Sequence, residues 1–226
     1  EILEEEGIEQ DSFSTIEEAI ATVVNGETIT LTKDINKVIV IPAEKDITID
    51  LNGKTITSEA TESIKNYGTV TIKNGKITAA DSEATRRCLY NYGTMTIENV
   101  EFVQTYAKKG AAINNEGKMT IESATVNSVF YSIWASGENS KTIINGGTYT
   151  TTNDVNVRDT WAYCVNILNG AKLTVNGGSF TGNHGVIAAA GTGSKATLNA
   201  GEFNCTATYT GNSDWVLYAE TGGSVV

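Results

Sequence analysis

The chain has 226 residues, of which 40% are hydrophobic and 19% charged, a composition typical of globular and not of disordered proteins. Its formal net charge of -11 argues against nucleic acid and anionic membranes as partners, because binding to either needs clustered cations. The sequence holds no apolar run of about 18 residues, so we expect no membrane span in this chain.

The N-terminal segment predicts an acidic tail followed by a short helix. We assign residues 1–12 to the tail and residues 13–25 to an amphipathic helix. Ser14 and Glu17 have the spacing of a capping box, which satisfies free amide groups at a helix start. The apolar residues at helical spacing are Phe13, Ile16, Ile20, Val23 and Val24. We expect this helix to cover the first coil of the repeats that follow.

A repeated motif fills residues 27–226. Its most regular apolar position recurs at Leu51, Ile72, Ile97, Ile121, Ile144, Val175 and Leu198. Alternation with a period of two within each repeat indicates strands, and Asn-Gly pairs indicate tight turns between them. Repeats in one direction indicate stacked parallel coils rather than hairpins. The sequence therefore predicts an all-β fold: a right-handed parallel β-helix of about 8 coils in a single domain, 1–226.

The alignment of the repeats also predicts which side chains stack inside the solenoid. The first predicted apolar column holds Ile49, Val70, Met95, Met119, Thr142, Leu173 and Ala196. The second is the series from Leu51 to Leu198. The third holds Ile56, Ile77, Phe102, Val126, Tyr149, Phe180 and Phe203. A polar column of Asn66, Asn91, Asn115, Ala135, Asn169 and Ala189 predicts a ladder of hydrogen-bonded asparagines at a turn.

Several isolated features are interpreted as structural. The spacing of the three cysteines fits no zinc site, and Cys88 and Cys164 lie too many coils apart for a disulfide. His184 is interpreted as a loop residue. The pairs Arg86-Arg87 and Lys108-Lys109 are interpreted as solvated loops, with an anion site as the alternative. The last residues, GGSVV, resemble the start of another repeat, so we expect the natural chain to continue.

The strings STIEEAIA, GETITLTKDI and ITIDLNGKTIT resemble the beginning of pectate-lyase-like β-helix domains in bacterial adhesin-like surface proteins. The strings NYGTVTIKNGKIT and LTVNGGSFTG resemble the same group. The resemblance covers about residues 13–226. It implies an extracellular, cell-surface setting. It does not imply one function, because such solenoids carry lyases, hydrolases and inert adhesins.

The first candidate binding site is the long coil, in which the repeat is longer by several residues around 153–163. This insertion contains Asp154, Arg158, Asp159 and Trp161. Insertions in solenoids project as loops and often carry binding residues. Carboxylates beside an aromatic ring suit a sugar or a calcium ion, and the alternative is an ordinary surface loop.

The second candidate is an outward column that contains Tyr90 and Trp134. Its predicted members are Lys65, Tyr90, Asn114, Trp134, Leu168 and Ala188, followed by Tyr218. Aromatic rings on a flat sheet face can stack on sugar rings, although neighbouring loops can equally bury them.

The sequence thus predicts a non-catalytic, extracellular adhesin-like domain, with a carbohydrate as the first ligand to consider. The alternative is a polysaccharide lyase or glycoside hydrolase with its site near 153–163. The outward column of the main repeat, which we align as Asp50, Thr71, Thr96, Thr120, Ile143, Thr174 and Thr197, has its only carboxylate in an early coil and lacks the several carboxylates of such enzymes. An ice-binding solenoid is a second alternative. We expect no catalytic residue and no cofactor, except for the calcium ion considered above. The expected partners are a polysaccharide, a cell-surface glycan or a protein.

Overall fold

A computed structural model describes residues 12–79, 85–105, 110–152, 162–206 and 215–226. In these ranges the chain forms one helix, α1 (Ile16–Thr22), and 22 strands. The first nine are β1 (Thr28–Thr30), β2 (Ile35–Asn36), β3 (Ile39–Ile41), β4 (Asp46–Asp50), β5 (Thr55–Ser58), β6 (Glu62–Asn66), β7 (Thr69–Ala79), β8 (Arg87–Asn91) and β9 (Thr94–Gln104). Strands β10 to β16 are β10 (Ala111–Asn115), β11 (Lys118–Ser128), β12 (Tyr131–Ser136), β13 (Lys141–Ile144), β14 (Thr148–Thr151), β15 (Tyr163–Leu168) and β16 (Lys172–Val175). The last six are β17 (Ser179–Gly182), β18 (Gly185–Ala190), β19 (Lys195–Leu198), β20 (Glu202–Cys205), β21 (Trp215–Glu220) and β22 (Ser224–Val225).

The strands stack in parallel, coil upon coil, on three faces. The first face is formed by β1, β4, β7, β9, β11, β13, β16, β19 and β22. The second face is formed by β2, β5, β14, β17 and β20 with the later halves of β7, β9 and β11, which join these two faces into one sheet. The third face is a separate sheet of β3, β6, β8, β10, β12, β15, β18 and β21. This topology confirms the predicted parallel β-helix, and the described coils make about seven turns.

The core follows the predicted columns with one correction. The column from Ile56 to Phe203 is paired throughout as predicted, and the rings of Tyr149, Phe180 and Phe203 stack within it. On the first face, however, Ile47 lies opposite Val70 and Ile49 opposite Ile72. The predicted placement of the coil containing Ile49 and Leu51 was therefore wrong by two residues.

The same correction changes the outward side of the first face. Thr48, and not Asp50, lies opposite Thr71, while Asp50 lies opposite Lys73. The corrected outward column reads Thr28, Thr48, Thr71, Thr96, Thr120, Ile143, Thr174 and Thr197.

The asparagine ladder exists over three coils. Asn66 Nδ2 donates to Asn91 Oδ1 at 2.7 Å, and Asn91 Nδ2 donates to Asn115 Oδ1 at 2.8 Å. Asn115 donates to the hydroxyl of Thr142, so the series of hydrogen bonds between asparagine side chains ends at Asn115. We call these three residues the buried ladder, because each is at most 1% exposed. Asn169 was wrongly placed in this column, since Ile167 lies opposite Ala135.

A second asparagine stack was not predicted. Asn176 Nδ2 donates to Asn145 Oδ1 and Asn199 Nδ2 donates to Asn176 Oδ1, both at 2.8 Å. All three residues are exposed and follow strands of the first face. We call them the exposed ladder.

The helix caps the first coils, but it is shorter than predicted. Its N-cap is Thr15 and not Ser14: the Thr15 hydroxyl accepts from the amide of Glu18, whose carboxylate accepts from Ser14. Ile16, Ala19 and Ile20 are buried in the solenoid core, whereas Val24, predicted on the same face, is exposed. At the other end, the Lys45 ammonium donates to the carbonyls of Ala21 and Val23, which a cation favours at a helix C-terminus.

The three cysteines are free, as predicted for Cys88 and Cys164. Both of these thiols are buried, and desolvation raises the pKa of each to about 12. None of the described helical residues forms a segment long and apolar enough to cross a bilayer.

Candidate functional site

The four residues predicted in the long coil, Asp154, Arg158, Asp159 and Trp161, lie outside the described residues. Their role as a binding site remains a prediction. The described residues that flank this segment are Thr152 at the end of the second face and Ala162 just before β15. The segment therefore connects the second face to the third, which carries the other predicted site.

The outward column of the third face is present with one correction. Asn166, and not Leu168, lies opposite Trp134, because the coil containing β15 was aligned two residues too far along. The column reads Lys65, Tyr90, Asn114, Trp134, Asn166, Ala188 and Tyr218. The structure thus brings Tyr90 and Trp134 into one column, with Asn114 on the strand between them.

Tyr90 belongs to a stack of three tyrosine rings at the corner between the third and first faces. Its ring lies 4.4 Å from that of Tyr92, which in turn lies 5.1 Å from that of Tyr67. The guanidinium of Arg87 lies over the Tyr90 ring at 5.2 Å and pairs with Glu62 at 3.0 Å. Burial, and then the hydrogen bond to Glu116, raises the pKa of the Tyr90 hydroxyl. The Tyr90 ring is therefore in contact with the Tyr92 ring and the Arg87 guanidinium, while Tyr67 is 44% exposed.

Trp134 belongs to a different aromatic group. Its ring meets that of Tyr131 edge to face at 4.9 Å, and Tyr131 meets Phe130 in the same way. With Ala111 and Ala162 these residues form a small apolar cluster, separate from the core, on the outer side of the third face. Phe130 and Tyr131 are buried in it, whereas Trp134 is partly exposed. Burial raises the pKa of Tyr131 to about 12, against the opposing effect of a hydrogen bond from Asn166.

A third aromatic group continues the same surface. The ring of Tyr163 stacks on that of Tyr218 at 5.7 Å and lies 6.5 Å from the ring of His184. Gly185 makes this possible, because a Cβ there would come within 2.3 Å of the Tyr163 ring. Trp215, at 6.2 Å from Tyr218, is 47% exposed. Together with the Trp134 group, these rings cover the outward side of the third face from β12 to β21.

Three buried polar atoms on this surface have no hydrogen-bond partner among the described residues: Asn114 Oδ1, Asn166 Oδ1 and the hydroxyl of Tyr163. Asn114 and Asn166 flank Trp134 in the same column, one strand to either side. Each residue is 8% exposed. A buried carbonyl without a donor costs about 1–3 kcal/mol, so both oxygens gain free energy when a donor reaches them. An unsatisfied acceptor on each side of an aromatic ring suits a ligand that combines an apolar face with hydroxyl groups.

These rings and buried oxygens form one surface of the third face, which we call the aromatic face. Its residues are Asn114, Tyr131, Trp134, Tyr163, Asn166, Trp215 and Tyr218. The column predicted from the sequence contained Asn114, Trp134 and Tyr218 of this face but missed Tyr131, Tyr163, Asn166 and Trp215. The sequence pattern concealed Tyr131 and Tyr163, because each lies two positions before an inward residue, Ile133 or Val165, and alternation would place it inside as well. Asn166 was missed because the sequence alignment shifted the coil that contains β15 by two residues.

A shallow groove follows the bend between the first and second faces. It has a volume of about 650 Å³ and is lined by Gly53, Gly75, the Lys76–Glu101 ion pair and Gly147, among others. In the part of the chain that the structure describes, no three His, Cys, Asp or Glu side chains come together as metal ligands. The predicted calcium alternative concerned the long coil, which lies outside that part.

Comparison with known proteins found no matching family model, curated protein or solved structure.

Proposed function

We propose that this chain is a non-catalytic, extracellular β-solenoid domain of the surface or adhesin type that binds carbohydrate on its aromatic face. The observation that carries the proposal is Trp134 between the unsatisfied carbonyls of Asn114 and Asn166. A pyranose ring can place its apolar side against an indole while its hydroxyl groups donate to neighbouring acceptors. The resemblance of the repeats to those of surface proteins agrees with an extracellular setting.

The shape of the surface also favours an extended sugar chain. Exposed or partly exposed rings recur along the solenoid axis at Trp134, Tyr218 and Trp215, on strands β12 and β21. Strands β15 and β18 separate them, so the rings are about 14 Å apart at the usual strand spacing. A glycan of several units lying along the axis can contact both ends, with Asn166 between them.

The test is a glycan-array screen of the intact chain, followed by titration of the best ligand into three variants. Trp134→Ala removes the ring, and Asn166→Ala removes one acceptor. Tyr67→Ala is the matched control, because it removes an exposed aromatic ring outside the aromatic face. We expect a loss of about tenfold or more for Trp134→Ala, a smaller loss for Asn166→Ala, and no loss for Tyr67→Ala.

The other results would place the function elsewhere. Loss of binding in Tyr67→Ala alone would move the site to the tyrosine stack that contains Tyr90. Full binding in all three variants would return attention to Asp154, Arg158, Asp159 and Trp161. Release of reducing or unsaturated sugar products, with or without added calcium, would establish the enzyme alternative and overturn the non-catalytic assignment.

A further inference from the structure

Four lysines stack directly above one another on the outward side of the first face. Lys118 lies opposite Lys141, Lys141 opposite Lys172, and Lys172 opposite Lys195. Adjacent strands are about 4.8 Å apart, so this lysine column extends over about 14 Å along the solenoid axis. The same outward position in earlier coils holds Thr94, Thr69 and Asp46, and Ser224 follows Lys195. The cations are therefore confined to four successive coils.

The lysine column is exposed and forms no ion pair with any of the residues that the structure describes. All four side chains are exposed. The ion pairs among the described residues use Lys37, Lys65, Lys73, Lys76 and Arg87 instead. In the column, Lys172 donates to the backbone carbonyl of Gly193, while within the described ranges the other three ammonium groups make no side-chain hydrogen bond or ion pair.

This arrangement opposes stability. Like charges placed directly opposite on neighbouring strands destabilise a sheet. The chain has 27 acidic residues against 16 basic ones, so carboxylates to neutralise the column are plentiful. The nearest acidic residue before Lys118, Glu116, accepts a hydrogen bond from Tyr90 instead. A stretch of unpaired cations in an acidic protein is understandable if an external anion neutralises it.

Hydroxyl groups line the column on one side. Two residues further along the same strands, the outward positions are Thr120, Ile143, Thr174 and Thr197. The surface therefore offers cations in one row and three hydroxyl groups in the next. Because the strands run across the solenoid axis, both rows run parallel to it.

We propose that the lysine column binds a linear acidic polysaccharide that lies parallel to the solenoid axis. Its regularly spaced carboxylate or sulfate groups pair with the ammonium groups, and its hydroxyl groups bond to the threonines. Duplex nucleic acid is disfavoured, because it carries one charge per about 1.7 Å of its axis, whereas the column offers one cation per about 4.8 Å in a single row. An acidic peptide is disfavoured because it cannot add to the sheet here, where each strand is already paired on both sides, and it loses more chain entropy on binding. The site lies on the first face and does not depend on the carbohydrate proposal for the third.

The experiment measures binding of the intact chain to polygalacturonate, to heparin and to neutral dextran at low and moderate salt. The test variant is Lys141→Gln with Lys172→Gln. The matched control is Lys33→Gln with Lys37→Gln, which removes the same charge from exposed lysines outside the column. We expect the test variant to bind the acidic chains about tenfold more weakly at low salt, with a shallower salt dependence. The control should stay within about twofold of the parent. Dextran should not bind at this site.

Polygalacturonate is the carboxylated probe and heparin the sulfated one. Comparing their affinities shows which anionic group the lysine column prefers. The proposal is overturned if the parent binds neither acidic polysaccharide, or if both variants weaken binding equally, since net charge alone would then explain the effect. Binding of polyglutamate but of neither polysaccharide would overturn it in favour of an acidic protein partner. The lysine substitutions should leave binding of a neutral glycan to the aromatic face unchanged, so failure of one proposal does not imply failure of the other. Circular dichroism checks that each variant is folded.

Discussion

The buried and exposed ladders make the same contact in opposite surroundings. In both, an asparagine amide donates to the amide oxygen of a neighbouring coil at 2.7–2.8 Å, the following coil in the buried ladder and the preceding coil in the exposed one. The buried ladder, Asn66, Asn91 and Asn115, lies inside the corner between the third and first faces. The exposed ladder, Asn145, Asn176 and Asn199, lies at the turns that follow the first face. Comparing the two ladders therefore separates what the hydrogen bonds contribute to the free energy of unfolding from what the exclusion of water contributes.

The buried ladder is tied to the backbone as well as to itself. Asn91 Nδ2 also donates to the carbonyls of Gly93 and Lys118, at 3.2 and 3.0 Å. The glycine two residues after each asparagine is required by space: a Cβ on Gly93 would lie 2.1 Å from the carbonyl oxygen of Gly68. The Asn-x-Gly turn and the ladder are therefore one unit, in which a change at one coil leaves unpaired groups in its neighbours.

The largest effect is expected from Asn91→Ala. This change removes the acceptor of Asn66 and the donor to Asn115, and it leaves their buried polar atoms without partners. Each such atom costs about 1–3 kcal/mol, so the free energy of unfolding should fall by about 3 kcal/mol. Urea unfolding followed by circular dichroism measures it.

Asn127→Ala is the matched control, because Asn127 is an exposed asparagine on the second face. It should change the free energy of unfolding by less than about 0.5 kcal/mol. Equal effects of the two substitutions would show that the buried ladder contributes nothing beyond a surface asparagine.

Both ladders bear on what the sequence can predict. The repeats of Asn66, Asn91 and Asn115 identified the buried ladder, because a recurring polar residue in an apolar repeat is conspicuous. Asn145, Asn176 and Asn199 recur equally well, in Asn-Gly and Asn-Ala turns. They were not predicted as a ladder because the turn itself already explains an asparagine.

The errors of alignment have a common physical cause. Both misplaced coils, those of Ile49 and Val165, were shifted by two residues. A shift of two leaves apolar residues inside and polar residues outside, so the hydrophobic pattern cannot detect it, whereas a shift of one would reverse the faces. The fold was therefore predictable, but the neighbours of Trp134 on the aromatic face were not. The stacking of four lysines follows only from the pairing of the strands.

A smaller and more local effect is expected in thiol reactivity. Cys88 lies three residues before Asn91, whereas Cys164 lies in a later coil without a buried ladder. Since the thiolate reacts and burial raises the pKa of both thiols to about 12, both should react slowly at pH 8 in the folded chain. Raising the pH toward 12 increases the thiolate fraction and therefore the rate.

In Asn91→Ala, labelling of Cys88 by a disulfide reagent at pH 8 should accelerate by about tenfold or more through local opening, and that of Cys164 by less. Mass spectrometry of labelled peptides over time gives both rates. Cys205, which is partly exposed, serves as the internal reference. Equal acceleration of Cys88 and Cys164 would mean that the solenoid opens as one unit and that the buried ladder has no local role.

The smallest effect is expected from Asn176→Ala, the counterpart of Asn91→Ala in the exposed ladder. Asn176 donates to Asn145 and accepts from Asn199, so the number of ladder bonds lost is the same. Water replaces the missing partners here, and the free energy of unfolding should fall by less than about 1 kcal/mol. The same urea titration measures it. A loss as large as that of Asn91→Ala would mean that stacking of the amides, and not their burial, is the source of stability. A loss below 1 kcal/mol beside about 3 kcal/mol for Asn91→Ala would assign the difference to the exclusion of water from the buried corner.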